Sequence, residues 1–167
     1  LDSIDIRLDR AISGLFVGGL LTQNLKWYVY VAAGIITIVS KHLIKLNQKH
    51  IFNPANFGVL LASIIFGVSS TWWISTPLFF VLIFGIFIIW QLRRFDLAIS
   101  FLLSYYLVNS VIELLKGSPL SEIYYTITNG QLLYFFSMFM IIEPRTNPTT
   151  RKQRVIYGIF LGLVFIL

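Results

Sequence analysis

Cysteine is absent from the 167 residues. Its absence excludes disulfides, thiolate metal sites, iron–sulfur ligation by this chain and thiol catalysis. Histidine is scarce: His42 and His50 are the only two, and no HExxH or other metal-ligand spacing occurs. The 7 acidic residues are scattered, most of them near helix ends. They form no paired carboxylate site, and no nucleophile–base pair or phosphate loop accompanies them, so no autonomous catalytic site is visible. Charge is sparse as well, at 12% against 57% hydrophobic residues, with a mean hydropathy of +0.81. A soluble domain of this length could not hide so much apolar surface, so the expected solvent is lipid. The net charge of +6 gathers at helix ends, which is the pattern of membrane orientation and not of a nucleic-acid surface.

What is present is a series of apolar segments, at about 11–25, 27–44, 54–68, 77–90, 97–115, 131–142 and 155–167. A full span needs about 20 residues at ~1.5 Å each. The segments from Trp27 and Leu97 meet that length, and the one from Pro77 nearly does. The others are short, as half-helices lining a cavity would be. The expected fold is therefore all-α, a single transmembrane domain built as a polytopic helix bundle with short half-helices and a possible inverted repeat. The first residue is Leu, and the last apolar run is cut at Leu167, so the sequence reads as a fragment of a longer protein or a processed chain.

If each segment crosses once, 11 of the 13 basic residues fall on one side, leaving Lys26 and Lys116 on the other. That is the positive-inside arrangement, and it makes both polar loops, "HIFNPA" and "EPRTNP", cytoplasmic. Trp27, Tyr28, Trp72, Trp73, Tyr124 and Tyr125 then form an outer aromatic belt. The expected place is the cytoplasmic (inner) membrane of a prokaryote.

Asn53–Pro54 is a helix-start signal: Asn caps, and Pro at the first helical position has no N–H to leave unsatisfied. Asn56 lies in the first turn, and Lys49 and His50 precede it. Free amides and the positive helix end attract an electron-rich group. The plainer reading is that Asn53 only caps its helix and His50 sits at headgroup level. Asn129–Gly130 opens the segment from Gln131, which ends at Glu143–Pro144 because proline cannot continue a helix. Glu143, Arg145 and Thr146 then share a polar turn, and Asn147–Pro148 repeats the start signal for the last segment. The plainer reading here is a water-facing turn with an ion pair of little value. Glu113 and Lys116 are spaced to pair. Gly14/Gly18 and Gly158/Gly162 have GxxxG spacing, which points to helix packing.

Two motifs together carry a family resemblance. "KHLIKLNQKHIFNPANFG" followed by "LLYFFSMFMIIEPRTNPTTRKQRVIYG" resembles the NqrB/RnfD family. That family contains the B subunit of the sodium-pumping NADH:quinone oxidoreductase and the D subunit of the Rnf electron-transport complex. His50, Phe52, Asn53, Pro54 and Ala55 match its first element. Phe135, Phe136, Pro144 and Thr146 match or nearly match its second, with Glu143 in place of the usual Asp. "AISGLFVGGLLT" loosely resembles an earlier segment of the family. The compact spacing and "TWWISTPL" look most like its short UnbU-like branch.

The resemblance implies a membrane-embedded subunit of an Rnf/NQR-type electron-transport system, with other such subunits and the bilayer as partners. The family's covalent flavin sits on a threonine that follows an alanine, and no Ala-Thr dipeptide occurs here. The expectation is therefore non-covalent riboflavin or FMN, held by His50, Asn53, Asn56, Glu143, Arg145 and Thr146. Two other readings stand beside it. One is a small-solute transporter or channel using opposed half-helices, and the other a structural subunit whose motifs only cap helices.

Overall fold

The computed structural model describes residues 3–46, 49–75, 77–143 and 146–166, with backbone alone for 3–11, 46, 49 and 50. Among the described residues the protein is all-α apart from one ribbon of two two-residue strands, and it divides into two compact units, Leu1–Ile74 and Ser75–Leu167.

The first unit holds α1 (Ser3–Leu20), α2 (Trp27–Leu43), the antiparallel ribbon β1 (Lys45–Leu46) and β2 (Lys49–His50), and α3 (Pro54–Phe66). Helix α3 lies antiparallel on α2. Tyr28 meets Phe66 at 6.3 Å between rings, and Thr37 faces Gly58. The seam is made of small residues, Ala33, Thr37, Ala55, Gly58 and Ala62, all buried. A Cβ on Gly58 would strike Thr37 Oγ1 and stand 2.9 Å from Ala33 O. Such close backbone approach is how helices associate where no hydrophobic force separates them from their solvent. Thr37 Oγ1 donates to Ala33 O at 2.8 Å and Ser40 Oγ to Thr37 O at 2.8 Å, so the seam's hydroxyls are satisfied within α2. Helix α3 ends at Gly67 with φ 62°, a left-handed cap that glycine adopts without cost. Thr22 and Thr71 then tie the loops together through Ser69 O and Leu20 O.

The second unit holds α4 (Leu78–Leu92), α5 (Phe95–Leu115), α6 (Leu120–Thr128), α7 (Gln131–Phe135) running into a π-helical turn at Phe136–Met140, and α8 (Arg151–Val164). Its core is Ile89, Leu97, Ala98, Phe101, Leu133, Met138, Ile141 and Ile142. Helices α5 and α8 run parallel with a constant offset of 58 residues: Asp96 meets Arg154, Ser100 meets Gly158 and Ser104 meets Gly162. The expected GxxxG packing at Gly158/Gly162 is thus a contact with Ser100 and Ser104. At Gly14 and Gly18 the same spacing seats no neighbouring helix, since a Cβ there meets no described atom within 4 Å. Helix α7 runs antiparallel to α5, with Phe136 5.5 Å from Phe101.

Several boundaries differ from the hydropathy reading. Helix α1 begins at Ser3, inside the polar "LDSIDIRLDR", and α8 begins in the polar "RKQR", because a helix continues past the point where its residues stop being apolar. Helix α6 lies outside the apolar segments, because its Ser, Glu and Thr residues interrupt the apolar run that hydropathy looks for. Asn147 does not start α8. Its amide donates to the open carbonyl of Ile141, and Thr150 caps α8 instead, accepting from Gln153 N at 3.4 Å. Thr150-Arg151-Lys152-Gln153 has capping-box spacing, with Thr150 Oγ1 donating to Gln153 Oε1 at 2.9 Å. Asn129 likewise closes α6, donating to Tyr125 O at 3.1 Å, and does not cap α7. Glu113 and Lys116 pair at 3.0 Å as their spacing predicts.

Among the described residues one helix, α5 with 21 residues, is by length and composition long and apolar enough to cross a membrane. The apolar helices α2, α3, α4 and α7 with its π turn are shorter, at 10–17 residues.

Candidate functional site

The first unit's candidate site is the start of α3, and "FNPANF" builds it locally. Asn53 is the N-cap, with Oδ1 accepting from Ala55 N at 3.0 Å and Asn56 N at 3.2 Å, and Pro54 occupies the first helical position. Phe52 stacks on Phe57 at 5.8 Å and 10°, the hydrophobic staple that fixes how a chain enters a helix. Phe52, Asn53 and Pro54 therefore all have structural work. Asn53→Ala is expected to cost about 1 kcal/mol and Asn53→Asp almost nothing. Thermal unfolding of the purified variants checks this, and equal losses in both would contradict the capping role.

Asn56 has a different status. Its Oδ1 is buried and has no hydrogen-bond partner among the described residues. A buried acceptor left open is costly, which makes it the position in this turn that a donor from a ligand would relieve.

The antiparallel register of α2 and α3 carries Ser40 and Lys41 to the level of Asn53 and Pro54. Lys41 is only 8% exposed, and its ammonium donates to Ser13 Oγ of α1 at 2.5 Å. By charge counting Lys41 is one of the cytoplasmic-side cations, and neither it nor Ser13 is among the expected site residues. The available signal was the spacing of Thr37, Ser40 and Lys41, three and four residues apart on one face of an apolar helix. A buried ammonium, a helix start and an open amide together favour an electron-rich group.

Of the other expected site residues, His50 lies in β2, where its backbone pairs with Lys45, and its side chain falls outside the description. Arg145 lies outside the described residues. Glu143 and Thr146 belong to the second unit. There the Thr146 amide and hydroxyl both donate to Glu143 O at 3.3 Å. The structure thus joins Asn53 with Asn56, and Glu143 with Thr146, each pair within its own unit.

Two cavities are described, and none of the six expected residues lines either. One, of about 470 Å³ in the first unit, is bounded by Gly14, Gly18, Gly19, Tyr30 and Trp73, with Trp73 Nε1 donating to Gly18 O at 3.0 Å. The other, of about 580 Å³ in the second unit, lies where α4 ends and α5 and α8 begin. Among the described residues no group of three or more His, Asp or Glu could hold a metal ion.

No family model, curated protein or solved structure matches the chain.

Proposed function

We propose that this chain is a polytopic integral membrane protein acting as a subunit of an electron-transport system of the Rnf/NQR type, in the cytoplasmic membrane of a prokaryote. The observation that carries the membrane part is the breadth of large apolar side chains left on the helix surfaces beside seams of small residues. Gly58, Gly85, Gly158, Gly162, Thr37 and Ser137 are buried, while Leu107 is 64% exposed, Phe87 58% and Leu103 56%. Water penalises so broad an apolar surface, and a bilayer does not. Five cations at one end of the second unit, Arg93, Arg94, Arg151, Lys152 and Arg154, accord with a cytoplasmic face there. The paired "HIFNPA" and "FFSMFMIIEPRT" motifs carry the electron-transport part, with other membrane subunits of that type as partners.

In this reading the polar start of α3 holds riboflavin or FMN without a covalent bond. A flavin would supply one- and two-electron transfer between partners. The residues fit its polar edge: Asn56 Oδ1 is an open acceptor for a ring N–H, and Lys41 with the α3 amides favours its electron-rich carbonyl edge. Asn53 orients this turn as cap. His50 is proposed with them in the first unit, and Glu143, Arg145 and Thr146 of the second motif stand as the candidates of the second unit.

The protein purified from carbonate-washed membranes is expected to show oxidised-flavin absorbance. Asn56→Leu should lose most of the flavin while unfolding at the same or a higher temperature, because it removes an unpaired acceptor. Release of the protein by carbonate would contradict the membrane reading. A colourless protein, or flavin retained in full by Asn56→Leu, would contradict the flavin site.

A further inference from the structure

We propose that the cavity at the α4–α5–α8 end of the second unit binds a phosphate-bearing anion, the phosphodiester headgroup of an acidic membrane lipid. The cavity of about 580 Å³ is lined by Trp90, Arg93, Phe95, Asp96, Arg151 and Arg154, among others. Asp96 is the one acidic group among its described lining residues, and it is fully used. Oδ2 accepts from Arg154 Nε at 2.8 Å and Nη2 at 2.5 Å, and Oδ1 accepts from Leu97 N at 3.0 Å. Arg154 is used as well, since its Nη1 donates to Thr149 O at 2.7 Å. Arg94, between α4 and α5, turns to Pro148 O at 3.3 Å. Arg93 and Arg151 remain. Both are exposed, both line the cavity, and among the described residues neither guanidinium has an acceptor. Two unmatched forks beside a neutralised pair leave a net positive cavity suited to bidentate capture of phosphate oxygens.

Arg93 also occupies a left-handed position, φ 52°, where glycine or asparagine is the easier residue. The turn alone therefore does not call for arginine. Trp90 and Phe95 expose their rings on the same cavity, as residues at headgroup depth do, and this favours a lipid over a free ion. The lipid source rests on the membrane reading above; the phosphate chemistry does not.

The test is a titration of the full chain in detergent with short-chain phosphatidylglycerol, short-chain phosphatidylcholine and inorganic phosphate. Arg93→Gly and Arg151→Gln are examined singly and together. Glycine suits the positive φ at 93 and Arg151 is exposed at a helix start, so both variants should retain the wild-type helical spectrum. Phosphatidylglycerol is expected to bind about tenfold or more tightly than phosphatidylcholine, and the double variant to lose that preference. Inorganic phosphate competing as strongly as phosphatidylglycerol would support the anion site and assign it to free phosphate. A wild type indifferent to headgroup, or a double variant binding like wild type, would overturn the proposal. A chain that resists carbonate extraction yet fails this titration loses the site and keeps the membrane reading. A chain released by carbonate that still binds phosphate through both arginines does the reverse.

Discussion

Gly162→Ala is expected to destabilise the second unit by about 1–3 kcal/mol, the usual cost of overpacking a closed seam. A methyl group there would strike Ser104 Oγ and stand 2.7 Å from Phe101 O. The hydroxyl can be removed, but the carbonyl belongs to the α5 backbone. Ser104→Gly in the same chain should therefore recover only part of the loss. Gly158→Ala should behave alike, one turn earlier, against Ser100 Oγ and Leu97 O at 2.8 Å. Gly14→Ala, which meets nothing within 4 Å, should be neutral or stabilising, since alanine is the better helix former. Thermal unfolding of the three single variants and the Gly162→Ala/Ser104→Gly pair in detergent reads all of this. Equal tolerance at 14 and 162 would mean that α5 and α8 do not touch as described.

Asp96→Ala should cost about 2–3 kcal/mol, because it strands a guanidinium that the fold has already desolvated. The side chains of Asp96 and Arg154 are only 9% and 15% exposed. The pair joins the first turns of α5 and α8, 58 residues apart in the chain, at the level where the glycine seam begins. Removing both partners should cost less than the sum of the single losses, since neither charge is then left alone. Strict additivity would indicate a solvated pair with no structural part.

The legible parts of this protein are the local ones. Asn53–Pro54 reads as a helix start from four or five residues, and the structure adds the Phe52–Phe57 staple to the same device. The pairing of Glu113 with Lys116 is likewise contained within one turn. What could not be read is which face of each helix meets a neighbour. Gly14/Gly18 and Gly158/Gly162 have the same spacing, yet among the described residues only the second pair is closed against a neighbouring helix, because packing and not spacing decides. Lys41 looks like any cation at a helix end until α1 brings Ser13 beside it. Asn147–Pro148 points to a start of α8 three residues too early, while the quieter Thr150–Gln153 pair marks it. Of the candidate site, the helix start was legible. The open Asn56 acceptor was not, because an unsatisfied atom is defined by everything packed around it.

Because the chain has no cysteine, single cysteines can report directly on what solvent its apolar faces meet. Phe87→Cys, Leu103→Cys and Leu107→Cys place thiols at positions exposed on the helices, and Gln153→Cys places one on an exposed polar turn. In open membrane fragments a water-soluble, membrane-impermeant maleimide should label position 153 rapidly and leave 87, 103 and 107 unmodified. Rapid labelling of those three positions in the folded protein would show that they face water, and would contradict a bilayer-embedded bundle.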